Sequence, residues 1–184
     1  MGVSGCGKST VGSMLSARLG AQFKDGDDLH PAANKIKMGA GIPLSDEDRK
    51  PWLEEIGRTL RRLQDAGTPL IIACSALKRS YRDLLRHHAP DVVFVHLNGD
   101  RETLLARMNA RENHFMPSSL LDSQLSALEP LDVDEKHVKA DIRLAPEVLV
   151  GDIDERLQVA IKLDTMLVAA PSPPAHLKPG YPIV

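Results

Sequence analysis

The segment Gly2-Val3-Ser4-Gly5-Cys6-Gly7-Lys8-Ser9, followed by Thr10, fits the pattern G-x-x-x-x-G-K-[ST]. Each residue type in it suits the holding of a polyphosphate. Glycine has no side chain, so backbone N–H groups can turn inward around an anion. A helix starting where the loop ends adds the positive end of its dipole. Lys8 would reach the terminal phosphates, and the Ser9 hydroxyl would ligate Mg²⁺. The alternative is a glycine-rich loop that matches by chance. Against chance, Val11, Met14, Leu15 and Leu19 place an apolar helical face directly after Ser9, and Gly20 stops it.

Other residues that could do chemistry sit just after short apolar runs. Asp25 and Asp27 follow residues 21–23, and Ser75, Lys78 and Arg79 follow the run that ends at Cys74. In open α/β sheets, ligands gather at this carboxyl edge. The competing reading of Asp25 and Asp27 is a solvated acidic turn and a helix cap. Asp28 is read as a cap. Cys74 is read as a small buried residue rather than a nucleophile.

The elements that must position these groups alternate. Ser45 with Asp48 forms a capping-box-like start, and Leu53, Ile56, Leu60 and Leu63 continue that helix to Gly67. Leu104, Leu105 and Met108 give another stripe, and Ile153, Leu157, Ala160 and Ile161 a last one. Strand-length apolar runs cover 70–73, 92–97 and 138–142, with a weaker one at 21–23. They do not alternate with polar residues, as expected of strands buried on both faces of a parallel sheet. The class is therefore α/β with right-handed crossovers. Residues 167–184 carry Pro171, Pro173, Pro174, Pro179 and Pro182 and are expected to form an extended or disordered tail beyond a domain of 1–166.

Composition removes several function classes. The 184 residues suit one domain with a tail. With 23 Lys+Arg against 25 Asp+Glu there is no basic surface for nucleic acid or anionic membrane. Aromatics at 3% disfavour a base-stacking platform. No apolar run approaches the ~18 residues of a membrane span, and the glycine-rich start is not a signal peptide. Cys6 and Cys74 read as free thiols of a reducing cytoplasm.

A guanine-reading Asn/Thr-Lys-x-Asp motif is absent from the sequence, and the run at 70–73 leads into Cys74-Ser75 rather than a Walker-B Asp. Small-molecule kinases often show this pattern. The sequence here resembles the gluconokinases, a shikimate-kinase-like family of P-loop kinases. The likeness is carried by Phe23-Lys24-Asp25-Gly26-Asp27-Asp28-Leu29-His30-Pro31, Lys37-Met38, Gly41-Ile42-Pro43-Leu44 and Arg49-Lys50-Pro51-Trp52-Leu53. Cys74-Ser75-Ala76-Leu77-Lys78, Tyr81-Arg82-Asp83, Arg111 with His114-Phe115-Met116-Pro117, and Leu128-Glu129-Pro130 complete it. It implies a three-layer α/β/α fold with a mostly parallel sheet and a small mobile lid near 111–118. It also implies ATP- and Mg²⁺-dependent phosphorylation of D-gluconate at the 6-hydroxyl. Two departures stand out: the proline-rich tail, and a first strand expected to be truncated, since only Met1 precedes Gly2.

The resemblance assigns roles. Asp27 would contact the acceptor hydroxyl and accept its proton, and Asp25 would sit with Ser9 near the Mg²⁺. His30 could face the polyol, or be a residue fixed before a helix by Pro31. Arg49 would bind the gluconate carboxylate, or pair with surface acids. Ser75 and Lys78 would meet the sugar-acid chain, with Ser75 as a helix cap the alternative. Trp52 would be core or pocket wall. Arg107 and Arg111, four apart on one helix face, would serve the nucleotide: Arg107 on the adenine, Arg111 or His114 on the phosphates as the lid closes. Pro146 would wall the adenine, or simply begin the last helix. Rival readings are a nucleotide-binding module with little turnover and a kinase for shikimate or a nucleoside monophosphate. The oligomeric state, a homodimer included, is left open.

Overall fold

The computed structural model describes residues 1–110, 118–168 and 182–184. Arg111 and His114, expected in a lid, and residues 169–181 lie outside the described residues. Two parallel strand pairs form the sheet. β1 (Gln22–Asp25) pairs with β2 (Leu70–Ala73), and β3 (Phe94–Asn98) with β4 (His137–Asp141). Ile183 joins them, pairing in parallel with both Ile71 and Val93. The order across the sheet is β1, β2, residues 182–184, β3, β4.

This corrects the reading of the sequence's end. Residues 182–184 were expected in a tail outside the domain, yet Ile183 and Val184 are buried in mid-sheet. Residues 182–184 lie in the slot between β2 and β3. A three-residue stretch preceded by prolines carries too little pattern to read as a strand.

Alternation along the inner strands divides the core. Ile71 and Val95 face one cluster, with Val11 and Leu15 of α1 (Lys8–Leu19) and Ile153 and Leu157 of α7 (Pro146–Val168). Ile72 and Phe94 face the other, with Trp52, Ile56 and Leu60 of α3 (Asp46–Asp65) and Leu85 of α4 (Arg79–His88). Both faces of β2 and β3 are covered, hence their continuous apolar sequence. The layers are α/β/α. Gly12 lets α1 lie close on β1: a Cβ there would come within 2.6 Å of the Phe23 ring.

The remaining helices are α2 (Ala32–Gly39), α5 (Arg101–Asn109) and α6 (Ser118–Ala127). The capping box at the start of α3 is present: Asp48 N donates to Ser45 Oγ at 3.2 Å and Ser45 N to Asp48 Oδ2 at 3.0 Å. Asp100 caps α5 through Thr103 N at 2.7 Å.

One buried cation fastens two loops of the sheet's carboxyl edge together. Arg82 on α4 is fully buried and donates to Glu135 at 2.6 and 3.1 Å. It also donates to the carbonyls of Leu77 (3.0 Å), Glu129 (3.2 Å) and Pro130 (3.0 Å). The strand-to-helix turn after β2 is thereby fixed to the segment following α6. Arg82→Met alone should cost about 3–5 kcal/mol in urea unfolding, because it strands the Glu135 carboxylate in the interior. Arg82→Met with Glu135→Leu should recover most of that loss, and equal destabilisation by single and double variants would refute the account.

Candidate active site

The loop Gly2 to Gly7 connects the central slot to α1. Gly7 caps the helix in the left-handed region at φ 95°, a conformation that glycine adopts without the steric cost of a Cβ. Lys8 folds back over the loop, its Nζ donating to Val3 O at 3.0 Å. Ser4 N donates to Gln124 Oε1 on α6 at 2.7 Å, so α6 lies against the loop. Cys6 is buried, Gly2, Val3 and Gly5 are buried with it, and Ser9 and Thr10 are exposed at the helix start.

Asp25 ends β1 and faces the loop. Its Oδ2 accepts from Ser9 Oγ at 2.7 Å, and its Oδ1 accepts from Asp27 N at 3.1 Å, capping the short 3-10 turn Gly26–Leu29. The cap is therefore Asp25. Asp28, expected to be one, is an exposed turn residue whose carbonyl accepts from Lys35. Ser9 and Asp25 together offer two hard oxygen donors, the type of ligand Mg²⁺ takes alongside water and phosphate oxygens. Among the described residues no cluster of three or more His, Cys, Asp or Glu could hold a metal. Any ion here would therefore depend on nucleotide and water for its other ligands.

Asp27 lies in the turn after β1, with 82% of its side chain exposed. The protein around it still withdraws enough water to raise its pKa, and the Asp25 charge adds to the rise; Lys8 and Arg49 act the other way. Asp27 thus lies within the field of two cations, one on the phosphate loop and one on α3. Beside it, His30 is buried and stacked on Trp52, ring centroids 4.1 Å apart and planes at 15°. Asn34 Nδ2 lies 3.3 Å from His30 Nδ1 and also donates to Asp48 O at 2.7 Å. An amide nitrogen can only donate, so Nδ1 is the acceptor and the ring proton sits on Nε2, on the Asp27 side at 3.9 Å. Burial, with Arg49 and Lys35 nearby, lowers the His30 pKa to about 4. Trp52 is both core and pocket wall, its indole N–H donating to Gly26 O at 2.7 Å.

The cations expected around the substrate differ in their freedom. Lys78 is bound to Asp46 at 2.7 and 2.9 Å, and Asp46 also accepts from Tyr81 Oη. Arg79 is held by Asp83, Asp132 and Asp134. Asp48 is taken by Lys37 at 2.7 Å. The side chain of Arg49, half-buried between these acids in sequence, makes no hydrogen bond or ion pair among the described residues. It acts electrostatically on Asp27, His30, Asp46 and Tyr81. Ser75 is half-buried and meets the loop through its carbonyl, which accepts from Gly2 N at 3.2 Å. Cys74 is buried, and burial pushes its thiol up to about 12.

Arg107 leaves the last turn of α5 close to Gly7 and donates to Ile142 O at 2.5 Å, beyond β4. Pro146 is the exposed first residue of α7, as its helix-starting alternative has it. The sequence reading passed over Asn34, which fixes the His30 tautomer, Gln124, which touches the loop, and the Asp46–Tyr81 contact. All three depend on partners distant in sequence or on the direction of a side chain, and neither leaves a motif.

His30 and His96 are both buried, with pKa values lowered to about 4, burial being the main cause in each. The folded protein keeps both rings neutral down to that pH, while the unfolded chain takes up protons near 6.5. Their contribution to stability is complete above pH 6.5 and is lost as pH falls toward 4. The melting temperature should fall across that window, and the double variant His30→Asn, His96→Asn should flatten the slope. An unchanged slope would count against the neutral rings.

The chain is similar to known proteins along most of its length. The family model described as shikimate kinase matches residues 4–140. The thermosensitive gluconokinase of Escherichia coli K12 is 48% identical over 88% of this chain and 84% of its own. The gluconokinase of Arabidopsis thaliana is 46% identical over 84% of this chain and 88% of its own. A crystal structure of a gluconokinase from Sinorhizobium meliloti superposes with a TM-score of 0.80 at 44% identity, covering 90% of this chain and 94% of that one. With an α/β/α sheet, a phosphate-type loop and a carboxylate set between two cations, the chain belongs to the gluconokinase family of shikimate-kinase-like kinases.

Proposed function

We propose that the chain transfers the γ-phosphoryl group of ATP to the 6-hydroxyl of D-gluconate, giving 6-phosphogluconate and ADP. The observation that carries the choice of substrate is Arg49. Two of the three carboxylates in the first turn of α3 are engaged elsewhere, Asp46 by Lys78 and Tyr81 and Asp48 by Lys37, and the third, Glu47, is exposed and makes no ion pair among the described residues. A guanidinium left without a partner beside a carboxylate and a neutral imidazole suits a ligand with a carboxylate at one end and hydroxyls along its length. Gluconate has that form.

The residues then divide the reaction. The backbone from Gly2 to Ser9, with Lys8, would cradle the phosphates, and Thr10 would extend that wall. Ser9 and Asp25 would hold Mg²⁺, which supplies charge neutralisation on the phosphate oxygens when bound. Asp27 would orient the acceptor hydroxyl and take its proton as the oxygen bonds to phosphorus and the bond to ADP breaks. Its raised pKa makes it a better proton acceptor than an unperturbed carboxylate. His30 Nε2–H would donate to a substrate hydroxyl, and Ser75 lies in reach of the same cleft edge. Lys78 would act at one remove, holding the start of α3 to the start of α4. Arg107 and Pro146 would flank the nucleotide base. Arg111 and His114 are proposed to meet the phosphates from the lid. Positioning and charge, not covalent chemistry, carry the rate.

The non-turnover reading leaned on a missing central strand; residues 182–184 and Met1 lie along that slot, which supports turnover. No helix among the described residues is long and apolar enough to cross a membrane. The cytoplasm is the compartment we propose, on the two free buried cysteines.

In an assay coupling ADP release to gluconate, Arg49→Ala should raise the gluconate KM at least tenfold and leave the ATP KM within about twofold. Asp27→Asn should lower kcat by about 10²–10⁴ with ATP binding retained. A gluconate KM untouched by Arg49→Ala would remove the carboxylate anchor. A change in gluconate KM alone for Asp27→Asn would make Asp27 a binding group and not the base.

A further inference from the structure

The middle of the sheet is made of two pieces of chain that lie in line, residues 182–184 and Met1. On the β2 side, Ile183 N donates to Leu70 O at 2.9 Å and Ile183 O accepts from Ile72 N at 2.8 Å. On the β3 side, Val93 N donates to Pro182 O at 3.0 Å, Val184 N to Val93 O at 3.0 Å, and Val95 N to Val184 O at 2.7 Å. The ladder then passes to Met1. Its nitrogen donates to Val95 O, and its carbonyl accepts from Leu97 N at 3.0 Å. In a parallel ladder the residues bonded to one neighbour recur every second position. Val184 lies opposite Phe94 and Met1 opposite His96, so one residue position separates them.

The side chains give the same register independently. Val184 and Met1 lie in the cluster built on Trp52 and Phe94, and Ile183 lies in the opposite cluster with Ile71 and Val93. Two residues on one face of a strand are an even number of positions apart. The strand ends with no slack before the loop. Gly2 N is held by Ser75 O, and a Cβ on Gly2 would lie 2.9 Å from Leu97 O. Residues 182–184 and Met1 hang on the same strand, β3, and residues 182–184 also tie that strand to β2, so the placing of β3 against β2 sets where Met1 starts the phosphate loop.

We propose that Ile183 and Val184 are positioning residues for the phosphate loop, acting through Met1 and Gly2 as the first part of one central strand whose register leaves space for a single residue. The proposal rests on the phosphate-binding reading of the loop. It also accounts for the neighbours: without these residues β2 and β3 would face each other across two unpaired edges in the centre of the sheet.

The test keeps all 184 residues. The chain is reopened between residues 168 and 169, and Val184 is joined to Met1 directly, through one alanine, or through two. A one-residue slip turns every side chain of a strand to the opposite face. The single-alanine chain should therefore keep kcat and ATP KM within about twofold of the parent. The direct and two-alanine chains should show ATP KM raised tenfold or more, or fail to fold. In the unpermuted chain, Ile183→Ala should raise the ATP KM at least threefold at a temperature well below its melting point, with gluconate KM within twofold. Equal ATP KM at all three linker lengths, a single-alanine chain that is inactive or unfolded, or an Ile183→Ala variant that melts lower with both KM values unmoved would each overturn the proposal. Lys8→Ala in the parent separates the two readings. Lost turnover there together with an indifferent linker series sinks only the positioning role, whereas retained turnover sinks the phosphate loop itself.

Discussion

All strands of this sheet run the same way, and everything else about the site follows from that. Parallel alignment brings the carboxyl ends of β1, β2 and the central slot to one edge. Asp25 leaves β1 there, Cys74-Ser75 leaves β2 there, and Gly2 leaves the slot there. Three strand ends converge where α1 also starts. Such an edge suits an anion, since the loop N–H groups and the helix dipole point the same way. The apolar faces of β2 and β3 must then be covered on both sides, which is why the acidic and basic residues collect at the rim.

At that rim, charge pairing is selective. Lys78, Arg79 and Lys37 each have acids of their own, and these exposed pairs stabilise little. Their effect is instead to leave specific groups unneutralised. Asp27 is held between Lys8 and Arg49 without a close partner, and Arg49 finds Asp46 and Asp48 occupied. Arg82 and Glu135 do the opposite task inside the protein, where a full set of hydrogen bonds fixes the turn after β2 against the segment beyond α6.

Much of this was legible in residue order. The loop, the run at 70–73, the capping box at Ser45 and Asp48, and the α/β alternation are local patterns whose physics acts within a few residues. The acidic turn was legible as a site, though the capping carboxylate is Asp25 and not Asp28, because the direction of a side chain is not written in spacing. The commitment of Lys78 to Asp46 was not legible either: the two lie 32 residues apart and meet only when α3 and α4 pack. The same holds for Arg82 and Glu135, 53 residues apart. Hardest of all was the central slot. Three residues, one of them proline, have no periodicity to read, and their place is set by the edges of strands more than eighty residues earlier.

The pairing of His30 with Trp52 has an optical consequence. Trp52 is the only tryptophan in the chain. Its ring lies against an imidazole that stays neutral until about pH 4, and its N–H is held by the turn carrying Asp27. A protonated imidazole quenches indole emission far more than a neutral one. The tryptophan emission therefore reports on a single address in the molecule, the floor beneath the proposed acceptor site, with no second tryptophan to subtract.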